Sequence, residues 1–265
     1  AEWVVWDDPE VSWHHDLVIV RSTWDYTPRR TEFLTWTRSI ARLANPAPVL
    51  AWNSDKTYLR DLAAAGVPIV ATEFVEPGQA LRTPAVGDYV VKPSVGAGSL
   101  GAGRFSQGET GAASAHLELL HAAGRTALVQ PYLSGIDADG ERALIYLGGQ
   151  FSHAVTKAAM LPAGAVHDVH ADASHELFVE ERITAATATP DERALADRAM
   201  AEVLRRYGAR MLYARVDLLP GSAGPAVLEL ELIEPSLFLS HGSGSADRFA
   251  ELIATTVAAL AGQRP

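Results

Sequence analysis

The sequence contains no cysteine, which excludes disulfides, thiolate zinc sites and a cysteine nucleophile. It holds no apolar run near the ~18 residues that a membrane span needs, and nothing at its start reads as a signal peptide. Positive charge is in deficit. Lys and Arg number 22 against 32 Asp and Glu, a formal charge of −10. No basic stripe exists to meet a phosphate backbone, so nucleic acid is not an expected partner. A membrane is not one either, and the cytoplasm is the expected location. The G-x-x-x-x-G-K-[ST] phosphate loop is missing too. What remains is 265 residues, 48% of them apolar, enough for a substantial core and two or three lobes.

The densest chemistry lies on two short apolar runs near the C-terminus. Tyr213-Ala-Arg215-Val-Asp217-Leu-Leu-Pro and Val227-Leu-Glu229-Leu-Glu231-Leu-Ile are joined by Pro220-Gly-Ser-Ala-Gly-Pro225. Side chains alternate along a strand, so Arg215 and Asp217 share a face, as do Glu229 and Glu231. A hairpin would gather three carboxylates on one face, where they repel and resist desolvation. Hard divalent cations relieve that repulsion and pair with phosphate. An exposed charged face on an edge hairpin is the competing reading.

Upstream, the β-rich run Asp88-Tyr-Val-Val-Lys92-Pro93 leads into Ser94-Val-Gly96-Ala-Gly98-Ser99-Leu-Gly101-Ala-Gly103. The N–H groups of such a loop can wrap a polyphosphate with no Cβ in the way. Gly96, Gly98 and Gly101 fit G-x-G-x-x-G, but a polar, turn-rich stretch follows where a dinucleotide site would open a helix. Two readings are left: a glycine flap over a nucleoside triphosphate with Lys92 on its phosphates, or a plain surface loop.

Seven pieces occur in a telling order: Asn53-Ser-Asp-Lys56-Thr-Tyr-Leu, Gly66-Val-Pro68-Ile-Val-Ala-Thr72, Val90-Val-Lys92-Pro93 with its glycine loop, Val129-Gln130-Pro-Tyr132-Leu133, Gly140-Glu141-Arg142, Arg215-Val-Asp217 and Glu229-Leu-Glu231. Together they resemble the ATP-grasp ligases. Val5-Trp6-Asp7-Asp8-Pro9, Arg21-Ser22-Thr23-Trp24-Asp25-Tyr26, Gln150-Phe-Ser-His153-Ala-Val-Thr-Lys157 and the run Glu229 to Leu239 resemble one group within them. That group is the actinobacterial one containing D-cycloserine synthetase. The resemblance implies an α/β ATP-grasp fold with an N-terminal parallel-sheet lobe whose first βα unit is missing here. The expected lobes are 1–50 for substrate, 51–128 as a lid with the glycine flap, and 129–265 with the metal site.

Roles follow from the resemblance, residue by residue. ATP is expected between the second and third lobes. Lys56 and Lys92 match the lysines on its α- and β-phosphates, and Ser94, Gly96, Gly98, Ser99 and Gly101 match the flap. Gln130, Tyr132 and Leu133 match the linker strand beside adenine; Pro131 has no N–H, which leaves donation to a residue such as Leu133. Glu141 matches the acid on the ribose, with Asp137 as a rival. Asp217, Glu229 and Glu231 match a two-magnesium site, in which manganese can substitute, although many relatives carry Asn where Glu231 stands. Arg215 matches an arginine that faces the transferred phosphoryl group, and Lys157 a basic position at the acyl phosphate.

The segment Arg21 to Tyr26 follows an apolar run over 16–20, at the strand end where open α/β sheets bind ligands. It suits a zwitterionic amino acid, with Arg21 on a carboxylate, Asp25 on an ammonium, and Ser22, Thr23 and Tyr26 beside them. An Arg–Asp pair that merely ties the loop is the alternative. The expected partners are ATP and a small amino-acid-like substrate; a homodimer is compatible with the sequence.

The activity implied is ATP- and Mg²⁺-dependent formation of an acyl phosphate that nitrogen attacks. Foremost is closure of O-ureido-D-serine to D-cycloserine in antibiotic biosynthesis. A ligase joining two amino acids, or an amino acid and an amine, stays open. From another class comes a metal-dependent hydrolase built on His167, Asp168, His170, Asp172 and His175, although that run has neither a helical frame nor a fixed fourth ligand.

Strands are expected over 1–6, 16–20, 69–72, 89–91, 128–129, 143–147, 151–157, 211–218 and 226–233. Helices are expected over 33–44, 56–66, 112–123, 190–207 and 246–261.

Overall fold

The structure is a computed structural model describing residues 1–167, 182–221 and 224–262. Asp168, His170, Asp172 and His175 lie outside the described residues.

The N-terminal part is built from three short helices: α1 Arg30–Ser39, α2 Ala47–Asn53 and α3 Tyr58–Ala64. Helix α1 buries Phe33 and Leu34 in a cluster with Trp6, Val20, Tyr26, Leu50 and Ile233. The expected strand over 1–6 does not form. Trp3, Val4 and Val5 are exposed, and Trp6 alone anchors the run, edge-on to Phe33. Of the run over 16–20, only Val18 pairs, in parallel with Leu43. Helix α1 stops at Ser39 because Ile40 turns extended. Asn45 is then free to donate to the carbonyls of Tyr213 (3.0 Å) and Leu232 (2.7 Å) and to accept from the Leu212 amide. Pro46 and Pro48 open α2, since Pro suits the first helical turn.

The first sheet has strands β1 Glu73–Val75, β2 Tyr89–Pro93, β3 Gly103–Phe105 and β4 Ala127–Pro131, all antiparallel in the order β1-β4-β2-β3. Strand β2 buries Tyr89, Val91 and Pro93 and turns Val90 and Lys92 to the opposite face, the period-two pattern of a half-buried strand. Helix α4, Thr110–Ala122, covers the buried face with Leu117 and Leu120.

After the short α5, Gly135–Asp139, the second sheet takes β5 Glu141–Leu147, β6 Gln150–Lys157, β7 Ile183–Ala186, β8 Tyr213–Gly221 and β9 Gly224–Glu231. Its order is β7-β6-β5-β8-β9, again antiparallel. Helix α6, Pro190–Tyr207, begins with a capping box between Thr189 and Glu192 and ends at Gly208 in the left-handed region (φ 65°). It packs Leu195, Ala199 and Val203 on one face of the sheet. Helix α7, Ser245–Ala261, packs Phe249, Leu252 and Ile253 with the cluster on the other.

The strand expected over 69–72 is reduced to one parallel bridge from Ile69 to Val227. That bridge fastens the chain to β9 just before it enters β1, so it stitches the two sheets together. Strands β1, β3 and β7 and helices α2 and α5 are additions to the elements expected from the sequence.

Candidate active site

A cavity of about 640 Å³ is walled by Val90 and Lys92 of β2, Gln130 of β4, Glu141 of β5, Lys157 of β6, Arg215 of β8 and Glu229 to Glu231 of β9. Both sheets therefore contribute their polar faces to one space.

The β8–β9 register sets the charge pattern. Arg215 pairs with Glu231 and Asp217 with Glu229, and a bulge after Asp217 leaves Leu228 unpaired to line the cavity. Arg215 grips Asp217 with Nε on Oδ1 (2.8 Å) and Nη2 on Oδ2 (2.8 Å), and Nη2 also reaches Glu231. Lys157 ends β6 opposite Glu141. Its Nζ donates to Asp217 Oδ2 at 2.9 Å and lies 2.5 Å from Glu141 Oε1, the latter an ion contact outside hydrogen-bonding angles. Burial alone would raise Asp217, but Arg215 and Lys157 overcome it and hold that carboxyl well below the usual range. Burial pushes Glu141 up to about 7 against the pull of Lys157. It also carries Glu231 to about 7, with Arg215 opposing it.

The flap is tied to β9 by one lysine. Helix α3 starts two residues later than the periodicity implies, which leaves Lys56 on a turn whose amide donates to the Ser94 carbonyl. Lys56 Nζ donates to the Gly96 carbonyl at 2.5 Å and sits 3.1 Å from Glu229 Oε1. Burial would raise Glu229 too; Lys56 and Lys92 reverse that and lower it. Lys92 has no hydrogen bond or ion pair among the described residues. Burial pulls its ammonium down, with Glu229 opposing. Gly98, Ser99 and Gly101 all lie at φ near +60° to +70°. A Cβ on Gly101 would press Pro93 at 3.3 Å.

Not every expected residue meets the cavity. Gly96, Gly98, Ser99, Gln130, Tyr132 and Tyr26 line it; Asp217, buried behind Arg215 and Lys157, does not, nor do Ser94, Gly101, Leu133, Asp137, Arg21, Ser22, Thr23 and Asp25. Ser94 is buried behind the flap. The Tyr132 amide is taken by the Asp88 carbonyl, and the Arg104 guanidinium stacks 3.4 Å from its ring. Asp137 accepts from the Tyr132 hydroxyl. Asp25 accepts from the Trp6 indole at 3.0 Å, and Arg21 Nη2 donates to the Pro235 carbonyl at 2.6 Å. The loop is thus tied by two separate contacts, with no Arg21–Asp25 pair among the described residues.

Glu234 belongs to none of the motifs read from the sequence. It lines the cavity, is 8% exposed, and its Oε2 is buried without a partner. Burial, with Glu231 adding to it, raises its carboxyl to about 8. Its one signal in the sequence is an acid set inside Leu232-Ile-Glu-Pro-Ser-Leu-Phe.

Among the described residues no three carboxylates or imidazoles converge as a metal cage. The oxygens of Asp217, Glu229 and Glu231 are held by Arg215, Lys157 and Lys56. Hard oxygen donors are nonetheless the right kind for magnesium. The unpartnered Lys92 beside a glycine loop suits a polyphosphate.

Residues 1–45 match the family described as the N-terminal domain of D-cycloserine synthetase DcsG. Over 271 residues the chain is 38% identical to the cycloserine biosynthesis protein DcsG of Streptomyces lavendulae, covering 96% of this chain and 88% of that protein. The crystal structure of D-cycloserine synthetase DcsG matches with a TM-score of 0.83 at 35% identity, over 95% of this chain and 88% of that one. A D-alanine–D-alanine ligase from Bacillus anthracis, complexed with ATP, shares the fold at a TM-score of 0.58 and 14% identity, over 86% of this chain and 74% of that one.

Proposed function

The chain belongs to the D-cycloserine synthetase family of ATP-dependent ligases, and from that premise we propose that it closes O-ureido-D-serine into D-cycloserine. The γ-phosphoryl group of ATP passes to the substrate carboxylate, and the ureido-bearing nitrogen attacks the acyl phosphate and expels phosphate. Water then removes the ureido carbonyl as CO₂ and ammonia.

The observation that carries this reading is Lys92, a half-buried ammonium that lines the cavity beside the glycine flap with no partner among the described residues. A lysine suits a phosphate that moves during transfer, because its donors rotate about a point charge. Lys56 exchanges Glu229 and the Gly96 carbonyl for phosphate oxygens when the nucleotide enters. The segment from Gln130 to Tyr132 lies along the adenine, with the Leu133 amide just beyond it as the donor, since Pro131 has no N–H and the Tyr132 amide is taken by the Asp88 carbonyl. Arg215 is held by Asp217, so its charge is already fixed where negative charge develops. Such pre-set charge usually supplies more of an enzyme's rate enhancement than any other single effect. Lys157 holds the acyl phosphate from the far side of Asp217. Magnesium, as one ion or two, would be held by Glu229 and Glu231 with Asp217 behind them, and would neutralise the β- and γ-phosphates. Holding both reacting ends of one small molecule beneath the flap gives the proximity that ring closure needs. Use of ATP and the lack of cysteine fit a cytoplasmic enzyme.

The test is ADP release across a panel of amino acids that includes O-ureido-D-serine, with products read by mass. A ring-closed product is expected. ADP release that needs a second amino acid would overturn the cyclo-ligase reading, and turnover with zinc but without ATP would replace it with a hydrolase.

A further inference from the structure

We propose that Glu234 binds the α-ammonium group of the amino-acid substrate, and that Arg21 is the positioning residue that fixes the segment carrying it. The inference rests on the amino-acid substrate proposed above. Glu234 is nine-tenths buried yet lines the cavity, and its Oε2 has no partner. Burial keeps this carboxyl largely protonated in ligand-free protein, and an entering ammonium stabilises the ionised, acceptor-only form, the displaced proton leaving to solvent. Glu231 and Glu229 add negative charge near Glu234, and Lys56 and Arg21 oppose it.

The segment is braced on both sides of Glu234. Arg21 Nη2 holds the Pro235 carbonyl at 2.6 Å, and the Tyr213 hydroxyl bonds the carbonyls of Val20 (2.9 Å) and Ile233 (2.8 Å). The Arg21 guanidinium lies over the Tyr213 ring, 5.2 Å from its centre. Arg21 and Glu234 form no ion pair among the described residues, so Glu234 Oε2, at the cavity wall, and Arg21 Nη1 are both buried without a partner. Two residues on, the Ser236 carbonyl accepts from Arg215 Nη1 at 3.3 Å. Arg215 of β8 is therefore held against the same short segment that carries Glu234. In an α-amino acid a single carbon separates ammonium from carboxylate. An ammonium seated on Glu234 delivers the carboxylate toward the arginine that faces phosphoryl transfer.

The experiment compares O-ureido-D-serine with its des-amino counterpart, by calorimetric binding and by ADP release, in the wild type and in Glu234→Gln. The wild type should favour the amino ligand by ~30-fold or more, and Glu234→Gln should abolish most of that preference while binding the des-amino ligand as before. Arg21→Ala should reduce the preference on its own and add nothing in the Glu234→Gln background. Melting curves check folding in each variant. An unchanged preference in Glu234→Gln, an equal loss on both ligands, or a loss cured by added Mg²⁺ would overturn the assignment. Wild-type binding without ADP release would refute the proposed reaction and leave the ammonium site standing. No binding of either ligand by the wild type would overturn both.

Discussion

Replacing Gly140 by alanine sets the Lys157–Glu141 pair against backbone sterics. Gly140 ends α5 at φ 70° and ψ −172°, a conformation essentially confined to glycine. A Cβ there would stand 2.5 Å from the Lys157 carbonyl oxygen and 2.6 Å from Thr156 Cγ2. The next residue, Glu141, starts β5 opposite Lys157. Backbone strain adds roughly 1–3 kcal/mol and steric overlap about as much again. For a chain of this size ~2–4 °C of melting temperature follows each kcal/mol, so a fall of at least ~5 °C is expected. The β6 end relieves part of the overlap by shifting, which carries Lys157 away from Glu141 and Asp217. ADP release should then lose kcat far more than it loses KM for ATP. Gly66→Ala is the control, because Gly66 also has a positive φ (77°) but nothing within 4 Å of a new Cβ. It should cost only ~1 kcal/mol and keep its kcat. A Gly140→Ala protein that melts with the wild type and retains full kcat would refute the steric account.

Four further outcomes are expected. Lys92→Ala should weaken ATP binding by ~30-fold or more without lowering the melting temperature, since a half-buried unpaired ammonium is removed; unchanged affinity by calorimetry would take Lys92 out of the site. Glu229→Gln should abolish ADP release while nucleotide still binds, and a wild type indifferent to added Mg²⁺ would contradict the metal assignment. Glu234 has a folded pKa of about 8, raised by burial from 4.5, so its contribution is fully present below the ordinary carboxyl value and is lost as pH rises toward 8. In ligand-free protein, melting temperature should therefore fall between pH 5 and 8 more steeply in the wild type than in Glu234→Gln, and parallel curves would count against it. Asn45→Ala removes three buried hydrogen bonds to residues 212, 213 and 232 and should cost ~2–4 kcal/mol, read by denaturant unfolding; a loss under ~0.5 kcal/mol would show the contacts to be replaceable.

What the sequence made legible was local. The period-two pattern of β8 and β9, the Gly/Pro turn between them and Pro190 with two acids at the start of α6 all act within a few residues, and each element formed within three residues of its expected bounds. The N-terminal lobe was harder, because a strand is specified by its neighbours: Val4 and Val5 have strand-forming side chains but nothing to cover them. The 69–72 run likewise became a single bridge. Arg21 and Asp25 read as substrate ligands, or else as a pair tying the loop, whereas their partners, Pro235 and Trp6, come from distant segments. Lys56, Lys92, Glu141, Arg215, Glu229 and Glu231 could be named from the order of their motifs, and the fold brings them to one cavity. Glu234 could not, because its meaning depends on a buried oxygen left without a partner.

The β8–β9 register has a bearing on how faithfully this protein is made. Val216, Leu218 and Leu230 point into the core beneath α6, while Arg215, Glu229 and Glu231 line the cavity on the opposite face, with Asp217 buried among them. A slip of one residue would exchange the two sets, driving charges into the apolar layer and leaving leucine and valine in their place. The same pairing that closes the sheet thus assembles the reactive array, and the same error destroys both. Specific activity should accordingly stay constant among folded molecules, with faulty synthesis appearing as lost yield and not as a population of sluggish enzymes.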